Sequence, residues 1–235
     1  MNDITTLLFW VILFALFTVV TYSAARMVKS GTQLGYPALV AFYVFYLTIS
    51  QVFASRIVEI DAGFGQLLMP AAVVIYPFLA VIIDMINEVY GRRMAHAAII
   101  IAFVSQILLV LSIILVSLLP PAPFFAFEEA WQELFGLSIR IVLASWVSFL
   151  ICENLDAIIF DSLKTRFPKR LVLRSTLSNV TNLTLDSVIF ISIAFAGILP
   201  IIPLIIGQVI VKNLIGLVST PWFVGYKKYL QNGQE

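Results

Sequence analysis

Ionisable and amide side chains interrupt several otherwise apolar stretches of this sequence. The stretch "IIDMINEVYGRR", residues 82–93, carries Asp84, Asn87 and Glu88 near its centre. Similar interruptions occur in three later stretches, at Glu153 and Asp156, at Asn182 and Asp186, and at Lys212. An Asp, Lys or Arg in the middle of a membrane-spanning helix costs about 2.5 to 3.5 kcal/mol, so such residues usually face a bundle interior or an aqueous cavity. Carboxylates accept hydrogen bonds and lysine donates them, so this set is suited to binding a polar solute.

Helical spacing sorts these residues into four polar faces, because residues three, four or seven positions apart lie on the same side of a helix. The four groups are Asp84 with Asn87 and Glu88, Glu153 with Asp156, Asn182 with Asp186, and Gln208 with Lys212. If the four helices pack together, their polar faces lie at compatible depths in the membrane. The spacing therefore predicts a shared polar cavity.

Structural explanations exist for some of these residues. Asp186 and Lys212 could form a buried ion pair that only fixes packing, and Glu88 could be interfacial and paired with Arg92 at the i+4 position. This surplus of acids favours a binding site, however, because a single lysine cannot neutralise the four deep carboxylates, which are those of Asp84, Glu153, Asp156 and Asp186. Because not all of these groups can stay charged cheaply in a low dielectric, we expect at least one protonated carboxylate, and a coupling proton becomes a candidate partner.

The composition is that of an integral membrane protein. The 235 residues are 61% hydrophobic and 11% charged, with a mean hydropathy of +1.04, whereas soluble domains are about half apolar and a quarter charged. The net charge of +1 gives no electrostatic basis for binding nucleic acid. With one Cys and one His, we expect neither a metal site nor a cofactor, and there is no Walker motif for ATP hydrolysis.

Seven stretches are long and apolar enough to cross a bilayer, which takes about 20 residues. They are 4–25, 36–55, 70–90, 96–119, 138–160, 175–196 and 201–223. The sequence therefore predicts an all-α membrane protein, a single transmembrane domain of seven helices over residues 1–235. Between the second and third stretches, "RIVEIDAGFGQLLMP" could form a small hairpin or a re-entrant segment. The loop "PPAPFFAFEEAWQELFG" predicts a short amphipathic helix on the outer surface.

The loops predict an orientation, since short cytoplasmic loops are enriched in Lys and Arg. One set of alternate loops holds eleven basic residues and the other set holds two, Arg56 and Arg140. This alternation predicts the N-terminus outside and the C-terminus inside. We expect a multi-pass protein of the plasma membrane.

The motif "DMINEVYG" resembles the D-x-x-N-E-x-Y-G signature of the queuosine precursor transporter family, also called the vitamin uptake transporter family. The resemblance continues through "YPFLAVIID", "RIVLASWVSFLICENLDAIIFDSLK", "LRSTLSNVTNLTLDSVIFISIAFAG" and "VKNLIGLVSTP". It covers about residues 36–226 and implies a six-span transporter core. Residues 1–30 are then an additional N-terminal span.

The resemblance implies uptake of 7-deazaguanine compounds, above all 7-cyano-7-deazaguanine or its aminomethyl relative, for the synthesis of modified tRNA nucleosides. A guanine-like edge offers N–H donors that a carboxylate accepts bidentately. We therefore expect Asp84, Asp156 and Asp186 to accept from the ligand and Asn87 and Asn182 to orient it. The remaining expected members are Lys212, which partly neutralises the acids of the empty site, and Glu88 and Glu153, which line it. Candidates for stacking on the flat base are Tyr76, Phe78, Tyr90, Trp146 and Phe190.

Other functions remain open at this point. The chain could be the membrane-embedded binding subunit of a multi-subunit vitamin importer, an intramembrane enzyme using paired Asp residues, or a structural scaffold. We expect a transporter and not an enzyme, because the sequence has no HExxH motif and its lone His96 lies at a helix start. The oligomeric state is left open, with a homodimer among the options.

Overall fold

A computed structural model describes residues 3–30, 33–61, 65–166 and 171–231, and the side chains of a smaller set. Within these residues the chain forms seven α-helices and one antiparallel hairpin. The helices are α1 (Asp3–Lys29), α2 (Gly35–Phe53), α3 (Tyr76–Tyr90), α4 (Arg92–Ser117), α5 (Glu128–Arg166), α6 (Leu171–Phe195) and α7 (Ile201–Gln231). Each falls on one of the seven predicted stretches, in the predicted order.

The third helix is shorter than predicted. The apolar stretch begins at Pro70, but α3 begins only at Tyr76 and contains 15 residues, which extend about 22 Å at about 1.5 Å per residue. Residues before it belong to a strand and to a 3-10 helix, Ala71–Val74. Pro77 lies in the first turn of α3, where its fixed φ and missing N–H are tolerated. Hydropathy alone could not locate this start, because the strand and the helix are both apolar.

The fifth helix is longer than predicted, because the short amphipathic helix predicted for the loop before it forms the first part of this same helix. α5 runs without interruption from Glu128 to Arg166, 39 residues, or about 58 Å at about 1.5 Å per residue. Glu128 and Glu129 lie in its first turn, where the helix dipole favours acids. Because α5 contains no proline, its polar first part and the apolar part that follows form one continuous helix.

Glu88 and Arg92 lie on different helices and not one turn apart on a single helix. Gly91 adopts a φ of +81°, a conformation that glycine reaches without steric cost. Its N–H donates to the carbonyl of Asn87 at 3.0 Å, which closes α3 one residue before α4 begins. Glu88 therefore lies in the last turn of α3, and Arg92 begins α4.

A two-stranded antiparallel hairpin, β1 (Ile57–Asp61) and β2 (Gln66–Pro70), departs from the predicted all-α class. Its register pairs Ile57 with Pro70 and Asp61 with Gln66. The hairpin is one of the two alternatives that the sequence left open for this segment. Alternating side chains of β2 are buried at Leu67 and Met69, as expected for a strand with one packed face.

The chain divides into two compact units. The first contains the described parts of Met1–Thr48, Ile75–Ser105 and Gly216–Glu235. In it, the Tyr46 ring stacks on Phe78 with 4.8 Å between centroids, and the Tyr36 hydroxyl donates to the carbonyl of Met94 at 3.0 Å.

The second unit contains Ile49–Val74 and Gln106–Ile215, and it has two buried apolar clusters. The first cluster joins α5, α6 and the start of α7, and its buried members are Ala54, Ile141, Ala144, Ile191, Ala194, Phe195 and Leu204. The second joins the hairpin to α7 through Leu67, Met69, Val73 and Val211.

Four helices contain described segments long and apolar enough to cross a membrane: Val11–Lys29, Gly35–Phe53, Arg92–Ser117 and Glu128–Cys152. Two shorter described segments, Val180–Phe195 and Ile201–Ile215, are also apolar. Many large apolar side chains on α1 and α4 are exposed, among them Val19, Ile100 and Leu115. Such continuous apolar surface is expected next to lipid. The architecture is therefore that of a helical multi-pass membrane protein.

Candidate functional site

The second compact unit buries an ion pair. The Nζ of Lys212 on α7 contacts Oδ2 of Asp186 on α6. The Lys212 side chain is 4% exposed and that of Asp186 is 19% exposed. A charged pair removed from water is held only where its geometry is good and further hydrogen bonds satisfy it.

Ser148 on α5 supplies such a hydrogen bond. Its hydroxyl lies 2.7 Å from Oδ1 of Asp186 and 3.1 Å from the main-chain oxygen of the same residue. The Asp186 carboxylate is thus held through one oxygen by Lys212 and through the other by Ser148. Three helices, α5, α6 and α7, meet at this group, which we call the Asp186 cluster: Ser148, Asp186 and Lys212.

Small polar side chains follow one face of α5 up to the cluster. Ser138, Ser145, Ser148 and Cys152 occupy positions three, four or seven apart, which lie on one side of a helix. The Ser145 hydroxyl donates to Oε1 of Gln51 at 3.2 Å, and Gln51 is buried at the end of α2. Cys152 is buried with its Sγ 4.0 Å from the Ser148 hydroxyl. Small side chains let helices approach closely inside a membrane and bond across the interface.

Arg140 fixes α6 against α5. Its Nε donates to the carbonyl of Ile193 at 2.8 Å and its Nη2 donates to the carbonyl of Ala196 at 2.7 Å. The last carbonyls of a helix have no partner within that helix, and a cation there also complements the helix dipole. Gly197 follows with a φ of +79°, which is typical of a helix end. This capping role explains why a basic residue occurs in the loop set that is poor in them.

Two buried acceptor atoms lie one helical turn from the cluster. They are Oδ1 of Asn182, four residues before Asp186, and Oε1 of Gln208, four residues before Lys212. Neither atom has a hydrogen-bond partner among the residues that the structure describes. A buried polar atom without a partner costs about 1 to 3 kcal/mol, so both are suited to accept from a solute or from water.

Strand β2 of the hairpin packs on α7 near the Asp186 cluster, at the residue before Gln208. Gly207 is buried against strand β2, and a Cβ at this position would meet the backbone of Leu68. Val211, beside Lys212, packs in the apolar cluster with Leu67 and Met69 of the same strand. Glycine is thus required at residue 207 for the strand to approach α7 so closely.

The structure brings together only part of the predicted site. Asp186 and Lys212 are in contact, and Asn182 lies one turn away on α6. Asp84, Asn87 and Glu88 belong to the first compact unit and all three are exposed on α3.

Two further predicted residues cannot be placed. Glu153 and Asp156 lie on α5, but their side chains fall outside the described residues. A cavity shared by four helices therefore stays a prediction.

Three of the aromatic candidates have ring partners within the protein. Phe78 is buried and stacked on Tyr46. Phe190 packs beside the first apolar cluster, edge-on to another Phe ring with 6.1 Å between centroids. Tyr90 lies edge-on to Tyr36 with 5.4 Å between centroids. These contacts account for the three rings without a ligand.

Sequence reasoning missed Ser148 and assigned no role to Gln208. A signal for Ser148 exists, because it lies four residues before Cys152 and eight before Asp156, on the face predicted to be polar. Gln208 was recognised as one turn from Lys212. Its burial and the proximity of β2 could not be derived from the sequence, since the hairpin lies more than a hundred residues away along the chain.

The chemistry of the cluster is that of binding. Among the described residues, no group of three or more His, Cys, Asp or Glu side chains is placed to hold a metal ion. The cluster instead offers a carboxylate whose two partners, an ammonium and a hydroxyl, are exchangeable hydrogen-bond donors.

Four helices with segments of membrane-spanning length, and an ion pair buried where α5, α6 and α7 meet, define a multi-pass helical membrane protein with a polar interior group. Residues 70–225 match the family described as "Putative vitamin uptake transporter". This match covers more than half of the chain, so the chain belongs to that family, and the protein is a transporter and not an enzyme. Its substrate is a small molecule and its surroundings are a lipid bilayer.

The chain is also similar to a protein of Bacillus subtilis (strain 168) named "Probable queuosine precursor transporter". The two are 28% identical over 156 residues, which cover 64% of this chain and 68% of the relative. No solved structure matches this chain significantly.

Proposed function

We propose that the protein imports a queuosine precursor of the 7-deazaguanine class, either 7-cyano-7-deazaguanine or its aminomethyl relative, across the plasma membrane. The name of the Bacillus subtilis relative supports the substrate class, and the D-x-x-N-E-x-Y-G motif at residues 84–91 points the same way. The observation that carries the proposal to particular residues is the Asp186 cluster. It holds a charged pair among apolar helices, where a charge is tolerated only when it is functional or strongly compensated.

In this mechanism the ligand takes the place of Lys212 on Asp186. A guanine-like base presents two adjacent N–H groups on one edge, and a carboxylate accepts both in parallel. Lys212 neutralises Asp186 when the site is empty and turns to the carbonyl oxygen of the base when it is filled. Ser148 holds the second carboxylate oxygen and keeps the carboxylate in one orientation, and Asn182 orients the base from the neighbouring turn.

The remaining predicted residues have proposed roles along the path. Asp84, Asn87 and Glu88 on α3, with Glu153 and Asp156 on α5, form further polar positions that the ligand meets as the carrier alternates between outside and cytoplasm. The proposed topology has seven spans, with the N-terminus outside and the C-terminus inside. One of the carboxylates carries a coupling proton.

Reconstitution tests the proposal. Purified chain in liposomes should accumulate labelled 7-cyano-7-deazaguanine, with excess unlabelled ligand competing and biotin not competing. Asp186→Asn should abolish uptake while the protein stays folded by circular dichroism. Asp61→Asn is the matched control, because Asp61 is an exposed acid at the end of β1, and it should transport normally. Normal uptake by Asp186→Asn would refute the site.

The same liposomes decide between the open alternatives. Uptake by the purified chain alone excludes a binding subunit that needs partners. An inward proton gradient should accelerate uptake and an uncoupler should abolish the acceleration. Uptake that is indifferent to both would replace proton coupling with facilitated diffusion.

A further inference from the structure

The buried carboxamide of Gln208 has no role in the mechanism above. The residue is 2% exposed, and its Oε1 has no hydrogen-bond partner among the described residues. Buried side-chain oxygens in native proteins are almost always hydrogen-bonded, so an exception indicates a group that the oxygen serves. Gln208 lies on α7 four residues before Lys212, and residues at this spacing share one face of a helix.

The position of Gln208 relative to Asp186 follows from the pairing of α6 and α7. The two helices are consecutive, and the end of α6 packs on the start of α7 through Phe195 and Leu204. They therefore run in opposite directions past each other, with the connection at one end. Along the axis of α7, the backbone of Gln208 lies about 6 Å from that of Lys212, toward this connection. Along the axis of α6, the backbone of Asn182 lies about 6 Å from that of Asp186, in the other direction.

The turn of α7 that carries Gln208 packs on strand β2 through the residue before it. The neighbouring Gly207 has no room even for a Cβ, because the backbone of Leu68 lies against it. The hairpin is held in place there by Leu67 and Met69, which pack on Val211. Because Gln208 is 2% exposed, a ligand group that reaches its Oε1 must be a small hydrogen-bond donor.

We infer, building on the proposed function, that Gln208 accepts the pyrrole N–H of the deazaguanine and makes the site selective for the free base. In such a base the pyrrole N–H and the 2-amino group flank the same ring nitrogen. When Asp186 accepts from the amino edge, the pyrrole N–H points toward the next acceptor along the helix, which is Gln208. A nucleoside carries its sugar on this nitrogen, so it lacks the donor that Gln208 accepts.

A ligand-by-variant comparison tests the inference. The purified protein is titrated with 7-cyano-7-deazaguanine and with the same base methylated on the pyrrole nitrogen. Wild type should bind the free base about tenfold or more tightly than the methylated base, because the methyl group leaves a buried acceptor unpaired. Gln208→Met should bind the free base about tenfold or more weakly than wild type, and its preference for the free base over the methylated base should be about tenfold smaller than that of wild type.

Two further variants separate recognition from structure. Asn213→Met is the matched control, because the amide nitrogen of Asn213 donates to the carbonyl of Val209 in its own helix at 2.8 Å, and it should keep wild-type discrimination. Gln208→Glu retains an acceptor oxygen and should keep the preference for the free base. If Gln208→Met does not fold, Gln208→Glu takes its place in the test, and loss of the preference for the free base in this variant would overturn the role of Gln208.

The outcomes are distinct. If wild type binds neither ligand, the proposed function fails and this inference fails with it. If wild type binds the free base but Gln208→Met discriminates as wild type does, only the role of Gln208 is overturned. The same holds if wild type binds both ligands equally, or if Gln208→Met weakens both by the same factor.

Discussion

Removing the two charges of the Asp186 cluster singly and together separates a binding group from a packing group. The three variants are Lys212→Met, Asp186→Asn and the double variant. Each single variant removes one charge of this ion pair and leaves the other in place, whereas the double variant removes both. Met has about the length of the Lys stem, and Asn can still accept the Ser148 hydrogen bond, so packing changes little.

The burial of the two side chains sets the expected magnitudes. Breaking a buried ion pair by removing one partner costs about 3 to 5 kcal/mol. Lys212→Met should lie near the lower end, because Asp186 is 19% exposed and keeps the hydrogen bond from Ser148. Asp186→Asn should lie near the upper end, because Lys212 is only 4% exposed. The double variant should be within about 1 kcal/mol of wild type, since replacing both charges of a buried pair is often neutral.

Two measurements on the same preparations complete the experiment. Unfolding of the purified protein in detergent micelles, followed by circular dichroism against denaturant, gives the free energy of unfolding of each variant. Uptake of 7-cyano-7-deazaguanine into proteoliposomes gives transport. All three variants should fail to transport, although the double variant is as stable as wild type.

A stable and fully active double variant would refute the reasoning, because the pair would then serve packing alone. Single variants with unchanged stability would also contradict it, since they would show that the pair is not held in a low dielectric. Changes at independent sites add within about 0.5 kcal/mol, so the rescue of the single variants by the double variant is well resolved.

Three further changes have expected effects on the free energy of unfolding. Ser148→Ala should lower it by about 1.5 to 3 kcal/mol, since a hydrogen bond to a charged group is lost, and uptake should fall as well. Gly207→Ala should lower it by about 1 to 3 kcal/mol, because the new Cβ overpacks the backbone of strand β2. Chemical denaturation in micelles measures the free energy of unfolding of both variants. Arg140→Gln should lower it by about 1 kcal/mol through lost capping of α6, with faster amide hydrogen exchange at the end of that helix.

Matched controls exist for the first two changes. The Ser138 hydroxyl donates to the carbonyl of Leu134 in its own helix, so Ser138→Ala should be nearly neutral. Gly136 is exposed on α5, and no atom lies within 4 Å of the point that a Cβ there would occupy, so Gly136→Ala should stabilise by about 0.5 to 1 kcal/mol. Equal losses in each variant and its control would contradict the contacts assigned to Ser148 and Gly207. Unchanged exchange in Arg140→Gln would contradict the cap.

The helices illustrate how far a local pattern extends. The apolar stretches at residues 4–25 and 96–119 predicted α1 and α4 to within a few residues, because no strand or turn competes there. The stretch at 70–90 failed at its start, since strand β2 and α3 have the same apolar composition. The end predicted for the amphipathic helix before residue 138 was wrong for the opposite reason, because a change of polarity without a helix breaker does not end a helix.

The sequence by itself determined that the protein lies in a membrane, that its helices follow in this order, and that Asp186 and Lys212 need a partner at depth. These properties depend on hydropathy and on helical periodicity, which are local. Only the tertiary structure decided that Ser148 holds the second oxygen of Asp186, that Arg140 caps α6, and that the hairpin packs on α7 at Gly207. Those contacts depend on the rotation and depth at which helices and strands distant in the chain pack together, and no short-range pattern encodes these two quantities.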